Sequence, residues 1–155
     1  MFWSDLGHLK PTIIYQPLLN KLLNSNIMET KILYNSNMHF EHELWKGELD
    51  FWKDELKSFN NRLSELVTRW TNKDVLAQLE HFQNEFVLHG DVIEDLEETI
   101  NEHEERIAGQ SIEGEDAIDV PLAKTHVEFR KRIETQREIY SKLKKDFFSF
   151  LEKYM

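Results

Sequence analysis

Cysteine is absent from this 155-residue chain. That excludes disulfides, thiolate metal sites and cysteine nucleophiles, and it fits a reducing cytoplasm. Long apolar runs are missing too: none approaches the ~18 residues a membrane span needs, so no membrane partner is expected. Positive charge is in short supply, with 19 Lys and Arg against 29 Asp and Glu and a net charge of −10. Phosphate backbones need a basic surface, so nucleic acid is not an expected partner either. Proline and glycine are sparse, at three and five residues, and several of them punctuate the chain: Pro11 and Pro17 near the start, Gly109, Gly114 and Pro121 in its second half.

The familiar signatures of helical chemistry are also missing. No Glu-x-x-His of the di-iron kind occurs, and no His-x-x-x-His or His-Glu-x-x-His zinc motif. Ser58, Ser64, Ser111, Ser141 and Ser149 have no histidine partner at helical spacing. Gly47 and Gly90 stand inside helical patterns and form no phosphate loop; each should cost ~1 kcal/mol relative to alanine and mark close approach of another backbone. The chain is therefore read as a non-enzyme, with no catalytic residues and no cofactor.

What is present is a stripe. Met38, His42, Trp45, Leu49, Trp52, Leu56, Phe59, Leu63, Leu66 and Trp70 recur in alternating steps of four and three. This heptad spacing belongs to a long helix lying against partner helices. The same alternation returns from Val75 through Leu79, Phe82, Phe86, His89, Ile93, Leu96, Ile100 and His103 to Ile107. It returns again from Leu122 through His126, Phe129, Ile133, Gln136, Tyr140, Leu143, Phe147 and Phe150 to Tyr154. The expected helices span 38–71, 73–108 and 121–154. Asn35-Ser36-Asn37 supplies caps for the first, Thr71 and Asp74 resemble a capping box for the second, and Gly109 is the C-cap glycine that ends it. Pro121 suits the first turn of the third.

Residues 1–37 read as an N-terminal extension, disordered or forming a short helix in which Leu18, Leu19, Leu22 and Leu23 share a face. Asp5, Lys10 and Pro11 break the pattern of a signal peptide. Met28 and Met38 are alternative starts, which would put the upstream residues outside the native chain.

Charge is uneven. Asp74–Ala108 holds eleven acidic residues and one basic, Arg106, whereas 121–155 holds nine basic and five acidic. The expectation is that helices two and three have complementary flanks, with an acidic docking face as the alternative.

Short connections make consecutive helices antiparallel, so each step up one is a step down the next. Placing Trp70 opposite Val75, and Ile107 opposite Leu122, brings His42, His103 and His126 into a single layer. Three neutral imidazoles suit zinc and similar transition metals, with His39 one turn away as a candidate fourth ligand. A polar layer that holds register, or one that loosens on protonation, is the alternative reading. No carboxylate occupies a neighbouring seam position to orient these histidines. The same alignment sets His89 opposite Leu56 and Tyr140, and Ile93 opposite Trp52 and Gln136, so His89–Tyr140 and Trp52–Gln136 hydrogen bonds are expected. His81 reads as solvent-facing, and His8 has no readable context.

Glu80-His81-Phe82-Gln83-Asn84-Glu85-Phe86, with Trp45…Phe51…Lys53-Asp54-Glu55-Leu56 before it and Phe147…Phe150-Leu151 after it, resembles a family of small bacterial helical proteins of unknown function. The resemblance covers about residues 40–155 and implies a cytoplasmic helical bundle; it implies no catalytic or binding residue.

The expected fold is all-α: an up-down-up antiparallel three-helix coiled-coil-like bundle with a peripheral N-terminal segment. Leu44, Phe51 and Val67, Leu76, Val87, Leu88 and Val92, and Val127, Ile139, Phe148 and Leu151 lie off the seams. They point to a second contact surface, hence a protein partner or a homodimer. The second functional reading is a metal-binding bundle with His42, His103 and His126 as ligands to a transition metal such as zinc.

Overall fold

The computed structural model describes residues 16–113 and 120–155. Among them every element is helical: α1 (Gln16–Arg69), α2 (Lys73–Glu113) and α3 (Val120–Tyr154). The protein is all-α. No helix among the described residues is long and apolar enough to cross a membrane. The chain divides into two compact units between Asn37 and Met38.

In the first unit, α1 opens at Gln16 with Pro17 in its first turn, where the missing N–H has no helical partner to lose. Leu18, Leu19, Leu22 and Leu23 are all exposed. Asn35-Ser36-Asn37 was expected to cap a helix beginning at 38, but it lies inside α1. Cap residues start a helix only where the preceding backbone cannot already be helical, and here it is. Residues 1–15 and 114–119, with Pro11 and Gly114, lie outside the described residues.

In the second unit the seam residues form the core. Met38 through Leu66, Val75 through His103 and Leu122 through Phe150 are buried at every seam position. Five phenylalanines make the centre of one end. Phe147 packs on Phe59, Phe82 and Phe86 with ring centroids 5.0–5.2 Å apart, and Phe150 lies 5.2 Å from Phe82. Contacts between α1 and α2 run in opposite directions, from Phe59–Phe86 to His42–His103. Contacts between α1 and α3 advance together, from Trp45–Phe129 through Trp52–Tyr140 to Trp70–Tyr154.

α2 starts at Lys73 as expected, but its cap residue and its end differ from expectation. The cap of α2 is Asn72, not Thr71: its Oδ1 accepts the backbone N–H groups of Asp74 at 2.9 Å and Val75 at 3.3 Å. Gly109 does not end α2, which continues to Glu113. A terminating glycine acts through left-handed backbone, and Gly109 does not adopt it.

The charges also pair differently. The cations of α3 turn mainly to α1. Arg130 pairs with Glu41, Arg137 grips Glu48 through two bonds of 2.6 and 2.8 Å, and Lys144 donates to Glu55 at 2.6 Å. The three glutamates are seven residues apart, as are their partners, so one ion pair recurs on each heptad of the α1–α3 flank. A single pair, Arg132–Asp95 at 2.6 Å, joins α3 to α2 among the described residues, and Lys53–Glu97 joins α1 to α2. This ladder runs along the flank between α1 and α3, which no short loop connects.

Candidate functional site

The structure brings His42, His103 and His126 together. One ring nitrogen from each lies within 4.8 Å of the others, and all three side chains are buried. The rings of His42 and His126 are 5.0 Å apart between centroids, and His42 is 5.7 Å from His103. Trp45 covers His126 at 5.1 Å, and Phe129 meets His103 edge-on at 5.7 Å. Each histidine occupies a seam position of its own helix, so the heptad pattern itself points the three rings inward.

Two carboxylates flank the layer. Glu104 accepts from His42 Nδ1 through Oε1 and from His39 Nδ1 through Oε2, the latter at 2.7 Å. Glu41, held by Arg130, sits 3.4 Å from His126 Nε2. No neighbouring seam position holds a carboxylate, as expected, but these two flank positions bring carboxylates to the layer. Glu104 follows His103 and Glu41 precedes His42 in sequence; flank positions beside a seam reach the outer edge of a buried layer, and this neighbour pattern is the signal that finds them. His39 is corrected. It is exposed and joined to Glu104, outside the group of three.

The inner edges face one another. His126 Nδ1 lies 3.2 Å from His42 Nε2. His103 Nδ1 is buried and has no hydrogen-bond partner among the described residues. Burial holds all three imidazoles below the ordinary histidine pKa, and for His42 and His126 the adjoining carboxylates oppose that shift only in part. Burial raises Glu104, but its hydrogen bonds from His42 and His39 outweigh it and leave the carboxyl below its usual range. Glu41 is held down chiefly by Arg130.

The neighbouring polar layer is separate. The Gln136 amide donates to His89 Nδ1 at 2.8 Å, in place of the expected bond to the Trp52 indole. Tyr140 stacks on His89 at 5.8 Å and donates its hydroxyl to Glu55 at 3.0 Å, so no His89–Tyr140 hydrogen bond forms. His81 is exposed beside Phe82, and His8 lies outside the described residues.

A second feature lies on the surface of the same unit. Phe40, Leu44 and Phe51 on α1 are 63, 57 and 57% exposed. They alternate with the buried seam and so form the outward face of the helix. Gly47 occupies the heptad position between Leu44 and Phe51, and a Cβ built there meets nothing within 4 Å.

No family model matches the chain, and no curated protein or solved structure matches it. The functional reading therefore stands on these residues alone.

Proposed function

We propose that residues 38–155 form an up-down-up antiparallel three-helix bundle of coiled-coil type. It acts as a non-enzymatic, cytoplasmic interaction module that pairs with a second copy of itself through the outward face of α1. The opposed α1–α2 contacts and the co-advancing α1–α3 contacts support the topology. The observation that carries the function is the Phe40–Leu44–Gly47–Phe51 stripe. Large apolar side chains at heptad spacing on a solvent face leave apolar surface that a helix from another chain would cover. Gly47 lowers helix stability by ~1 kcal/mol relative to alanine, and nothing among the described residues requires it. Close approach of a partner backbone gives it a purpose.

The non-enzymatic part is supported by one groove and by the serines beside it. The groove lined by Asn60, Leu63, Ser64, Val67, Leu79 and Gln83, of about 430 Å³, has a single hydroxyl, and Ser64 spends it on the Asn60 carbonyl at 3.0 Å. Ser58 likewise donates to the Asp54 carbonyl. The net charge of −10 supports protein rather than nucleic-acid partners. The affiliation with small bacterial helical proteins belongs to the same proposal and rests on the Glu80–Phe86 segment.

Size-exclusion chromatography with light scattering tests this. The wild-type protein is expected to run as a dimer at micromolar concentration, and Leu44→Lys as a folded monomer with unchanged far-UV dichroism. A wild-type monomer across that range would rule out self-pairing, and a Leu44→Lys dimer would place the contact elsewhere.

A further inference from the structure

We propose that His42, His103 and His126 bind one divalent transition ion of the zinc class, with Glu104 and Glu41 orienting two of the three imidazoles. This site is independent of the outward face of α1.

A carboxylate can only accept, so the His42–Glu104 bond places the His42 proton on Nδ1 and leaves a lone pair on Nε2. That lone pair points at His126 Nδ1, 3.2 Å away. Neutral His126 has one proton to place. On Nε2 it satisfies Glu41, and then two lone pairs confront each other between His42 and His126. On Nδ1 it satisfies His42, and then a lone pair confronts the Glu41 carboxylate at 3.4 Å. Either way one contact is acceptor against acceptor. The buried network is short of one cation, and unpaired polar contacts in a low-dielectric interior are costly.

A metal ion supplies that charge at the inner edge, where three nitrogens converge. Ligand nitrogens at ~2.0–2.1 Å around a tetrahedral ion stand ~3.3 Å apart, and His42 Nε2 and His126 Nδ1 already stand at 3.2 Å. His103 contributes a ring nitrogen within 4.8 Å of the other two, and its Nδ1 has no hydrogen-bond partner among the described residues. The outer nitrogens of His42 and His126 then both donate to carboxylates, the arrangement that orients metal-bound histidines and raises their basicity. Glu104 and Glu41 also bring negative charge close to a dication that three neutral imidazoles leave uncompensated. Imidazole nitrogens suit zinc, cobalt and nickel, whereas calcium and magnesium need an oxygen cage this layer does not offer. The three imidazoles would leave the fourth tetrahedral position to water, and the ion would tie α1, α2 and α3 at one level.

Full-length protein, stripped with chelator and dialysed, is titrated with Zn²⁺ and with Co²⁺. Calorimetry, melting temperature and visible absorption are read together. The expected results are one ion per chain, intense tetrahedral cobalt bands and a melting temperature higher by about 5–10 °C at ~100-fold excess over Kd. His103→Gln removes the donor with an unpartnered Nδ1 and should weaken affinity by at least ~100-fold, while Glu104→Gln should weaken it by ~10–100-fold. His81→Gln, on the exposed side of α2, should leave binding unchanged. No uptake by the wild type overturns the proposal, as does wild-type affinity in folded His103→Gln. An imidazolium signal at neutral pH without metal uptake overturns it too, because the missing cation is then a proton. If His103→Gln does not fold, the wild-type cobalt spectrum decides, and weak octahedral bands refute the site.

Discussion

Gly47→Ala separates a residue kept for its own helix from one kept for a neighbour. Among the described residues the added methyl has free space, since none lies within 4 Å of the new Cβ. Alanine is better than glycine by ~0.8–1.0 kcal/mol in a helix interior, so the isolated chain should gain that much. For a domain of this size the gain corresponds to about 2–4 °C in melting temperature. If a second copy packs across Leu44, Gly47 and Phe51, the same methyl enters a tight contact on both sides. Overpacking of that kind costs ~1–3 kcal/mol, equivalent to roughly 5–150-fold weaker dimerisation. The two effects have opposite signs and are measured apart. Stability is followed by thermal denaturation in the monomeric Leu44→Lys background, and association by sedimentation of Gly47→Ala alone. Gly90→Ala serves as the control, because its Cβ also meets nothing within 4 Å and it lies on α2. A stabilised monomer with undiminished dimerisation would refute the interface. A destabilised monomer would refute the reading of open space around Gly47.

Three further outcomes follow from the geometry. Phe147→Ala removes a fully buried ring that touches Phe59, Phe82 and Phe86; it should cost ~3–5 kcal/mol in denaturant titration, and a loss under ~1 kcal/mol would contradict the packing. Burial holds His42, His89, His103 and His126 below the usual histidine pKa, so below about pH 6.5 the unfolded chain binds protons that the folded chain does not. The metal-free protein should therefore lose stability as pH falls through that value, by up to ~1.4 kcal/mol per pH unit for each imidazole that stays neutral; equal melting temperatures above and below that pH would refute it. Arg137→Gln breaks a two-bond pair between a half-exposed Arg137 and a more buried Glu48, for an expected cost of ~0.2–1 kcal/mol that shrinks in high salt; a salt-independent loss would mean packing, not charge, is what Arg137 supplies.

The heptad alternation was enough to find the core, because a stripe of large apolar residues has one economical use in water and its period names the helix face. It also placed His42, His103 and His126 opposite one another, since the short α1–α2 connection leaves little freedom in alignment. It failed where neighbours on the chain outvote local signals. Asn35-Ser36-Asn37 has cap chemistry, but helical backbone on both sides absorbs it. The cap moved from Thr71 to Asn72 because either residue has the chemistry and only the path of the backbone chooses. The α1–α3 ion pairs escaped because charge was counted helix by helix. Read by heptad position, Glu41, Glu48 and Glu55 repeat in step with Arg130, Arg137 and Lys144. The carboxylates beside the histidines escaped for a related reason: a seam-only view ignores residues one place to either side, whose side chains curl around the edge of a layer. Gln136 pairs with His89 because an imidazole lone pair accepts its amide proton.

The two polar layers have a consequence for how the chain finds its fold. A purely apolar heptad is indifferent to sliding by seven residues, since each greasy rung meets another greasy rung and misaligned intermediates lose little. Here such a slide would set His42 against Ile133 and strip Gln136 from His89, stranding imidazoles among hydrocarbon. Slid alignments thereby carry a cost that apolar rungs alone would not impose, and the few rungs that are not interchangeable favour one alignment.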